Sequence, residues 1–469
     1  MSQTIGVLPL GRPTFDVAFA EQTLAKALAA LDATDHRIVG PRALLFDAEA
    51  TGAALEALSA QGPDLVLILQ VTFTDASMTV AAAKSLDAPL AIWAFPEPRL
   101  GGRLRLNSFC GLNLAAHALG LGDHLFSYLY AAPDGARIAE ELDALLAGRR
   151  QADKLAANPP NPEPGRAAAA KAEAVLGALA GATIGRFGAH PEGFHTCAYD
   201  ATKLKALAKV EVAELGLDNL FARARAVPAL AVAETHALAA RDLSGLDEVD
   251  QGQLDRSLRL KSALDEFRAE GNYAAFAIRC WPETFTEYGG AVCGPVSMMG
   301  EQRIPCACEA DVFGALTCLI LQELATAPAF QVDLVDLDPA DETAVVWHCG
   351  QAPISMADTE AEPVATIHTN RKMPLLYEFP LKPGRVTFAR VSQARGEIKL
   401  VIAGGEMLRR PKSFTGTSGV VAFDVPARTV MERIMGAAVE HHAALVYGDY
   451  RAELHAVAQA LRIPVVEIA

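Results

Sequence analysis

The run Leu65-Val66-Leu67-Ile68-Leu69 is apolar at every position. A strand with one wet face alternates apolar and polar residues, so an unbroken apolar run points to a strand covered on both faces, as in a parallel sheet flanked by helices. The neighbouring segments agree. Thr4–Leu8, His36–Val39 and Leu90–Phe95 read as short strands, and Ala18–Leu31, Ala50–Ala60 and Ala76–Leu86 carry helical periodicity. This alternation predicts a doubly wound parallel sheet over residues 1–157. In such sheets ligands meet the loops beyond the carboxyl ends of the strands. Here those loops hold Arg12, Thr72–Asp75, and Arg99 running on to Arg103, Arg105 and Asn107.

The stretch from Asn158 to Gly165 carries four prolines and cannot hold a helix or a central strand, because proline lacks the amide donor and its ring obstructs the preceding turn. It separates the first unit from a central α/β unit, residues 171–342. There Thr183–Phe187, Ala274–Cys280 and Gln331–Leu334 read as strands, and Leu215–Ala239, Asp250–Glu270 and Cys308–Leu324 as helices. Residues 343–469 change texture. Val345–Trp347, Val364–His368, Arg385–Ala389, Ile398–Ile402 and Val420–Phe423 are short β runs that predict a compact barrel or sandwich, closed by a helix–strand unit ending at Ile468.

Composition excludes several classes. Net charge is −15, and an acidic surface repels phosphate backbones and anionic lipid, so no nucleic-acid partner is expected. No apolar stretch approaches the roughly 20 residues of a membrane span, so no membrane partner is expected. No basic segment leads into an apolar one at the N-terminus, so a cytoplasmic protein is expected. The eight cysteines are sparse and read as reduced, buried thiols. Cys306 and Cys308 form C-x-C, not a zinc-finger spacing. There is no G-x-G-x-x-G, P-loop or G-x-S-x-G motif.

The chemistry-bearing residues lie elsewhere. Cys280-Trp281-Pro282-Glu283, with Glu287 four residues on, follows a buried strand. Asp311 closes Ile304-Pro305-Cys306-Ala307-Cys308-Glu309-Ala310-Asp311 at the start of an apolar helix, where it equally reads as an N-cap. His441 and His442 lie between a helix and an apolar strand, and His348 ends another strand. Two carboxylates and one histidine make a hard oxygen/nitrogen set that suits Mn²⁺, Mg²⁺ or Fe²⁺ better than a structural zinc.

In combination these motifs resemble the L-fucose isomerases and their L-arabinose isomerase relatives. The resemblance rests on C-W-P-E at 280–283, I-P-C-A-C-E-A-D at 304–311, W-H-C-G-Q-A-P at 347–353, H-H-A-A-L-V-Y-G-D-Y at 441–450, and G-R-P-T-F-D and R-L-R-L-N-S-F-C-G in the first unit. It implies two Rossmann-like α/β domains followed by a C-terminal β-barrel domain. It implies trimers or hexamers, with active sites shared between subunits. It implies aldose–ketose isomerisation of an open-chain sugar, by proton transfer through a cis-enediol with a divalent metal, Mn²⁺ foremost. Glu287 and Asp311, 24 residues apart, are similar to the family's metal-binding acids and would double as acid and base. His442 is the matching histidine ligand, with His441 its rival. His348 and Glu283 are then expected near the substrate. Asn107 is expected to bind substrate too, and asparagine suits sugar hydroxyls, but Arg12, Arg99, Arg103 and Arg105 are unusual company for a neutral sugar. Guanidinium grips multi-oxygen anions, which makes an anionic sugar such as sulfoquinovose the alternative substrate. A non-catalytic sugar-binding protein, which would need no converging acids, is the rival of another class.

Overall fold

The computed structural model describes residues 2–161 and 164–469, so Pro162 and Glu163 of the proline-rich stretch lie outside the described residues. The first sheet contains β1 (Thr4–Leu10), β2 (Arg37–Val39), β3 (Leu65–Gln70), β4 (Leu90–Ala94) and β5 (Phe126–Tyr130), all parallel and in the order β2-β1-β3-β4-β5. β3 and β4 are buried at every residue, as their unbroken apolar runs require. The strand order reverses between β1 and β3. The loops after these two strands part there and leave a crevice. Arg12 follows β1 and Phe73 follows β3.

The second sheet is also parallel: β6 (Thr183–Phe187), β7 (Glu211–Leu215), β8 (Ala275–Ile278) and β9 (Cys306–Ala307), in the order β7-β6-β8-β9. β7 was not legible in the sequence because it is an edge strand whose residues are exposed or half-buried. The helical pattern expected over Leu215–Ala239 divides into Leu217–Ala226 and Ala229–Asp242, interrupted at Val227-Pro228. The long helix Gln251–Gly271 matches its expected span.

Nine strands form the third, mixed sheet: β10 (Phe330–Asp338), β11 (Thr343–His348), β12 (Val364–Thr366), β13 (Leu376–Pro380), β14 (Gly384–Ser392), β15 (Lys399–Leu408), β16 (Thr417–Phe423), β17 (His442–Tyr447) and β18 (Val465–Glu467). The segment Gln331–Leu334, read as a strand of the central unit, pairs instead with β11 and β17. The helix Val312–Ala325 packs against β8 of the second sheet and against β14 and β17 of the third, which is why it is buried along nearly its whole length. Its N-terminus is thereby fixed where the two sheets meet. All eight cysteines are free, and seven are buried. Among the described residues no helix is long and apolar enough to cross a membrane.

Candidate active site

One cleft of about 750 Å³ gathers strand ends from all three sheets. The crevice of the first sheet contributes Arg12 and Phe73, the segment after β8 contributes Trp281, and Glu309 lies two residues beyond the end of β9. Asp333 of β10 stands directly opposite His442 of β17 in the antiparallel register, so the two side chains share a face. Glu309 and Ala310 have φ of 58° and 55°, the left-handed region that side chains other than glycine rarely adopt. Such residues cost about 1–3 kcal/mol each and gather at functional sites. Here they break the helix expected from Cys308, delay its start to Val312, and leave Glu309 lining the cleft.

The Glu309 carboxylate accepts the Trp281 indole N–H at 3.0 Å and lies 3.2 Å from His441 Nε2 and 3.7 Å from His442 Nε2. His442 Nε2 is also 3.5 Å from Asp333 Oδ1. The His441 and His442 rings stack with centroids 3.9 Å apart. Burial alone would raise the Glu309 pKa, but hydrogen bonding and charge from the two histidines outweigh it and hold it at about 2.

Asp311 is fully buried and its oxygens are already engaged. It pairs with the buried Arg390 guanidinium, accepts the Gly314 N–H at 2.9 Å as the cap of its helix, and lies 2.9 Å from His442 Nδ1. Burial opposes its charge, yet Arg390 and His442 hold its carboxyl well below the ordinary range. An ionised Asp311 accepts a hydrogen bond from Nδ1–H of His442. The Nε2 lone pair of the neutral ring then faces two carboxylates. Carboxylate–histidine pairs of this kind fix the tautomer of metal-binding histidines. A lone pair and two anionic oxygens turned on one another need a cation between them. Without a metal a proton serves: burial opposes it, but Asp311, Asp333 and Glu309 raise the His442 pKa.

The donor set fits a metal. Glu309, His441 and His442 offer ligand atoms that all lie within 4.8 Å of one another, and Asp333 meets the same His442 nitrogen. Asp333 Oδ1 and His348 Nε2 are buried without a hydrogen-bond partner. Such atoms are expensive in a folded chain unless a ligand completes them. His348 Nδ1 accepts the Cys349 N–H at 2.9 Å, which places the ring proton on Nε2. Burial lowers the His348 pKa to about 4, so the ring is neutral and its Nε2–H is an unspent donor on the cleft.

The structure separates the residues expected from sequence. Arg12, Asn107, His348 and both histidines 441 and 442 line the cleft, and Asp311 lies behind His442. Glu287 does not join them. The segment after β8 winds into the π-helical turn Thr284–Tyr288, which buries Thr284, Phe285 and Tyr288 and turns Glu287 outward to solvent. Glu283 is held away from the cleft by an ion pair with Arg279 at 2.7 Å. Arg99 pairs with Asp336, and Arg105 pairs with Asp16 and lies over the Phe19 ring. Arg103 donates to Asn370 Oδ1 and to the Thr14 carbonyl, each at 2.8 Å, and so joins two walls of the cleft without lining it. Glu309 and Asp333 were overlooked in the sequence. They repeat the 24-residue spacing of Glu287 and Asp311, and Asp333 is a charge inside an apolar strand. Glu287→Gln is accordingly expected to change kcat/KM by less than about twofold and stability by no more than about 0.5 kcal/mol, as for a free surface position. Steady-state kinetics and thermal unfolding check both values.

Residues 6–155 match the fucose/sulfoquinovose isomerase N-terminal domain, and residues 346–469 match the L-fucose isomerase C-terminal domain. The sulfoquinovose isomerase of Alkalicoccus urumqiensis is 31% identical over 466 residues, 99% of each chain. Those of Clostridium sp. (strain MSTE9) and Priestia aryabhattai are each 30% identical, over 98% and 95% of both chains. Similarity at this level along the whole length, with the acids and histidines drawn to one cleft, places the chain in the fucose/sulfoquinovose isomerase family of aldose–ketose isomerases.

Proposed function

We propose that this protein interconverts sulfoquinovose and sulfofructose, with a divalent cation, Mn²⁺ in our reading, held by Glu309, Asp333 and His442. The observation that carries the proposal is the meeting of two carboxylates with the His442 Nε2 lone pair in a cleft that also holds arginines. The substrate is the one named for the relatives. When bound, the cation supplies Lewis-acid stabilisation of the negative charge that develops on the sugar oxygens. Glu309 and Asp333 are the acid/base pair. One removes the C2 proton of the open-chain aldose and returns it to C1 of the cis-enediol, and the other moves a proton between O1 and O2. Asp311 fixes the tautomer and direction of the His442 ring, and His348 Nε2–H donates to a substrate hydroxyl. Trp281 and Phe73 supply apolar walls.

The C-terminal sheet supports a barrel reading. Its pairings run β16-β11-β10-β17-β14-β15 and return to β16. The family likeness supports a homo-oligomer in the cytoplasm, and solution mass tests the assembly.

Chelation is expected to lower sulfoquinovose turnover by about 10²-fold or more, the contribution of a Lewis acid worth several kcal/mol, and Mn²⁺ should restore it. Mn²⁺ should also raise the thermal midpoint of the stripped protein, because it binds only the native state, and His442→Ala should remove that shift. Full turnover by metal-free protein would overturn the mechanism.

A further inference from the structure

Among the described residues, Arg371 is a cation with no acidic partner. It lies on the cleft, yet among the described residues no carboxylate stands within ion-pair distance of its guanidinium, and its side chain donates no hydrogen bond. In a chain of net charge −15, cations of this kind normally find an acid; Arg12, Arg99 and Arg105 each do. Arg371 instead stands near a second cation. Its Cζ is 5.2 Å from the centre of the Trp281 ring, and the Arg12 Cζ is 5.2 Å from the same ring. Partial burial, and then the nearby Arg12 charge, disfavour the charged form of Arg371, so its pKa lies below the ordinary arginine value.

The segment is held in this arrangement before any ligand arrives. His368 is half-buried, edge-on against Phe285, and accepts the backbone N–H groups of Asn370 and Arg371 on its ring nitrogen, each at 3.3 Å. Arg103 ties Asn370 to Thr14, and so joins the loop bearing Arg371 to the loop bearing Arg12. A guanidinium positioned in advance loses little freedom on binding. The Trp281 indole that both arginines approach also donates its N–H to Glu309. A single aromatic ring thus separates the reacting carboxylate from the cations. That short span suits a charge on the remote carbon of a monosaccharide.

We propose that Arg371 is the residue that selects a substrate bearing a tetrahedral anion, sulfonate or phosphate, at the carbon remote from the isomerising pair. This rests on the isomerase reading above. A neutral sugar leaves the Arg371 charge uncompensated. A sulfonate or phosphate offers oxygens for the planar two-pronged donor set of guanidinium. Arg12, already paired with Asp75 at 2.7 Å, adds a second positive charge but less free donor capacity.

The experiment compares metal-loaded wild type, Arg371→Gln and Arg371→Lys on sulfoquinovose, glucose 6-phosphate and the neutral 6-deoxyglucose, with thermal unfolding as the check on folding. Arg371→Gln is expected to lower the kcat/KM preference for the anionic over the neutral sugar by roughly 10–100-fold, chiefly through KM, as for loss of a hydrogen bond to a charged group. Arg371→Lys should recover part of it, since charge returns without the fork. If wild type turns over sulfoquinovose and Arg371→Gln keeps the same preference, Arg371 is not the selector and the substrate reading stands. If only the phosphate is turned over and the variant loses it, the sulfoquinovose reading falls and the role of Arg371 stands. Turnover of the neutral sugar alone ends both.

Discussion

Glu309→Gln is expected to lower kcat by about 10³-fold while leaving the fold intact, within the 10²–10⁴-fold span of a lost general acid or base. Glutamine keeps the size of the side chain, and its amide oxygen can still accept the Trp281 N–H. The substitution removes one negative charge from beside His441 and His442 and removes the group able to take a proton. Asp333→Asn should act in the same range, since Asp333 meets the same histidine nitrogen. Two measurements separate chemistry from folding: circular dichroism with thermal unfolding, and solvent-deuterium incorporation into the product during turnover in D₂O. A Glu309→Gln protein that keeps more than about a tenth of wild-type kcat would remove Glu309 from the acid/base pair. Retained incorporation with slow net conversion would move its role from the carbon proton to the oxygen proton.

The architecture of the first unit was legible because its signal is local and strong. Leu65–Leu69 can be satisfied only by burial on both faces, and β3 is buried throughout. The crevice that brings Arg12 to the cleft follows from strand order, and the reading of loops beyond strand ends had already marked that arginine. The acids chosen from sequence, Glu287 and Asp311, do not line the cleft, for an equally physical reason. Cys308–Leu324 looks helical throughout, and a helix beginning at Cys308 would hold both Glu309 and Asp311 in its first turn, where either reads as a helix-start acid. The left-handed turn at Glu309 and Ala310 is not a sequence pattern, since neither residue is a glycine. It exchanges the roles: Glu309 faces the cleft and Asp311 caps the helix from behind. The 24-residue spacing used to choose Glu287 and Asp311 also separates Glu309 and Asp333, so spacing alone could not choose between the two pairs. Assigning Gln331–Leu334 to the central unit hid Asp333, whose importance depends on pairing with β17 more than a hundred residues later. Arg371 gave no signal at all, as its isolation from acids is visible only in three dimensions.

The ion pair behind the site should be as important to folding as Glu309 is to turnover. Arg390→Met is expected to destabilise the protein by about 3–5 kcal/mol, the cost of leaving one partner of a buried pair uncompensated. Arg390 and Asp311 are both almost wholly buried, and Arg390 also donates to the Thr196 carbonyl at 3.1 Å. With Arg390 gone, burial pushes Asp311 toward its protonated form. A protonated Asp311 no longer favours a proton on His442 Nδ1, so the Nε2 lone pair is no longer secured toward Glu309 and Asp333. Loss of stability and loss of metal affinity should therefore appear together, the second by about 10–100-fold, as for other groups that orient a metal-binding histidine. Asp311→Asn leaves Arg390 unpaired and should cost a similar amount. The double variant Arg390→Met with Asp311→Asn should lose less stability than the two single losses added, because the second change no longer strands a charge. It should still bind Mn²⁺ weakly, since the anion behind His442 is absent. Denaturant unfolding gives the coupling, and Mn²⁺ titration monitored calorimetrically gives the affinity. Single losses below about 1 kcal/mol, the range of exposed pairs, would show that this ion pair does not hold the site.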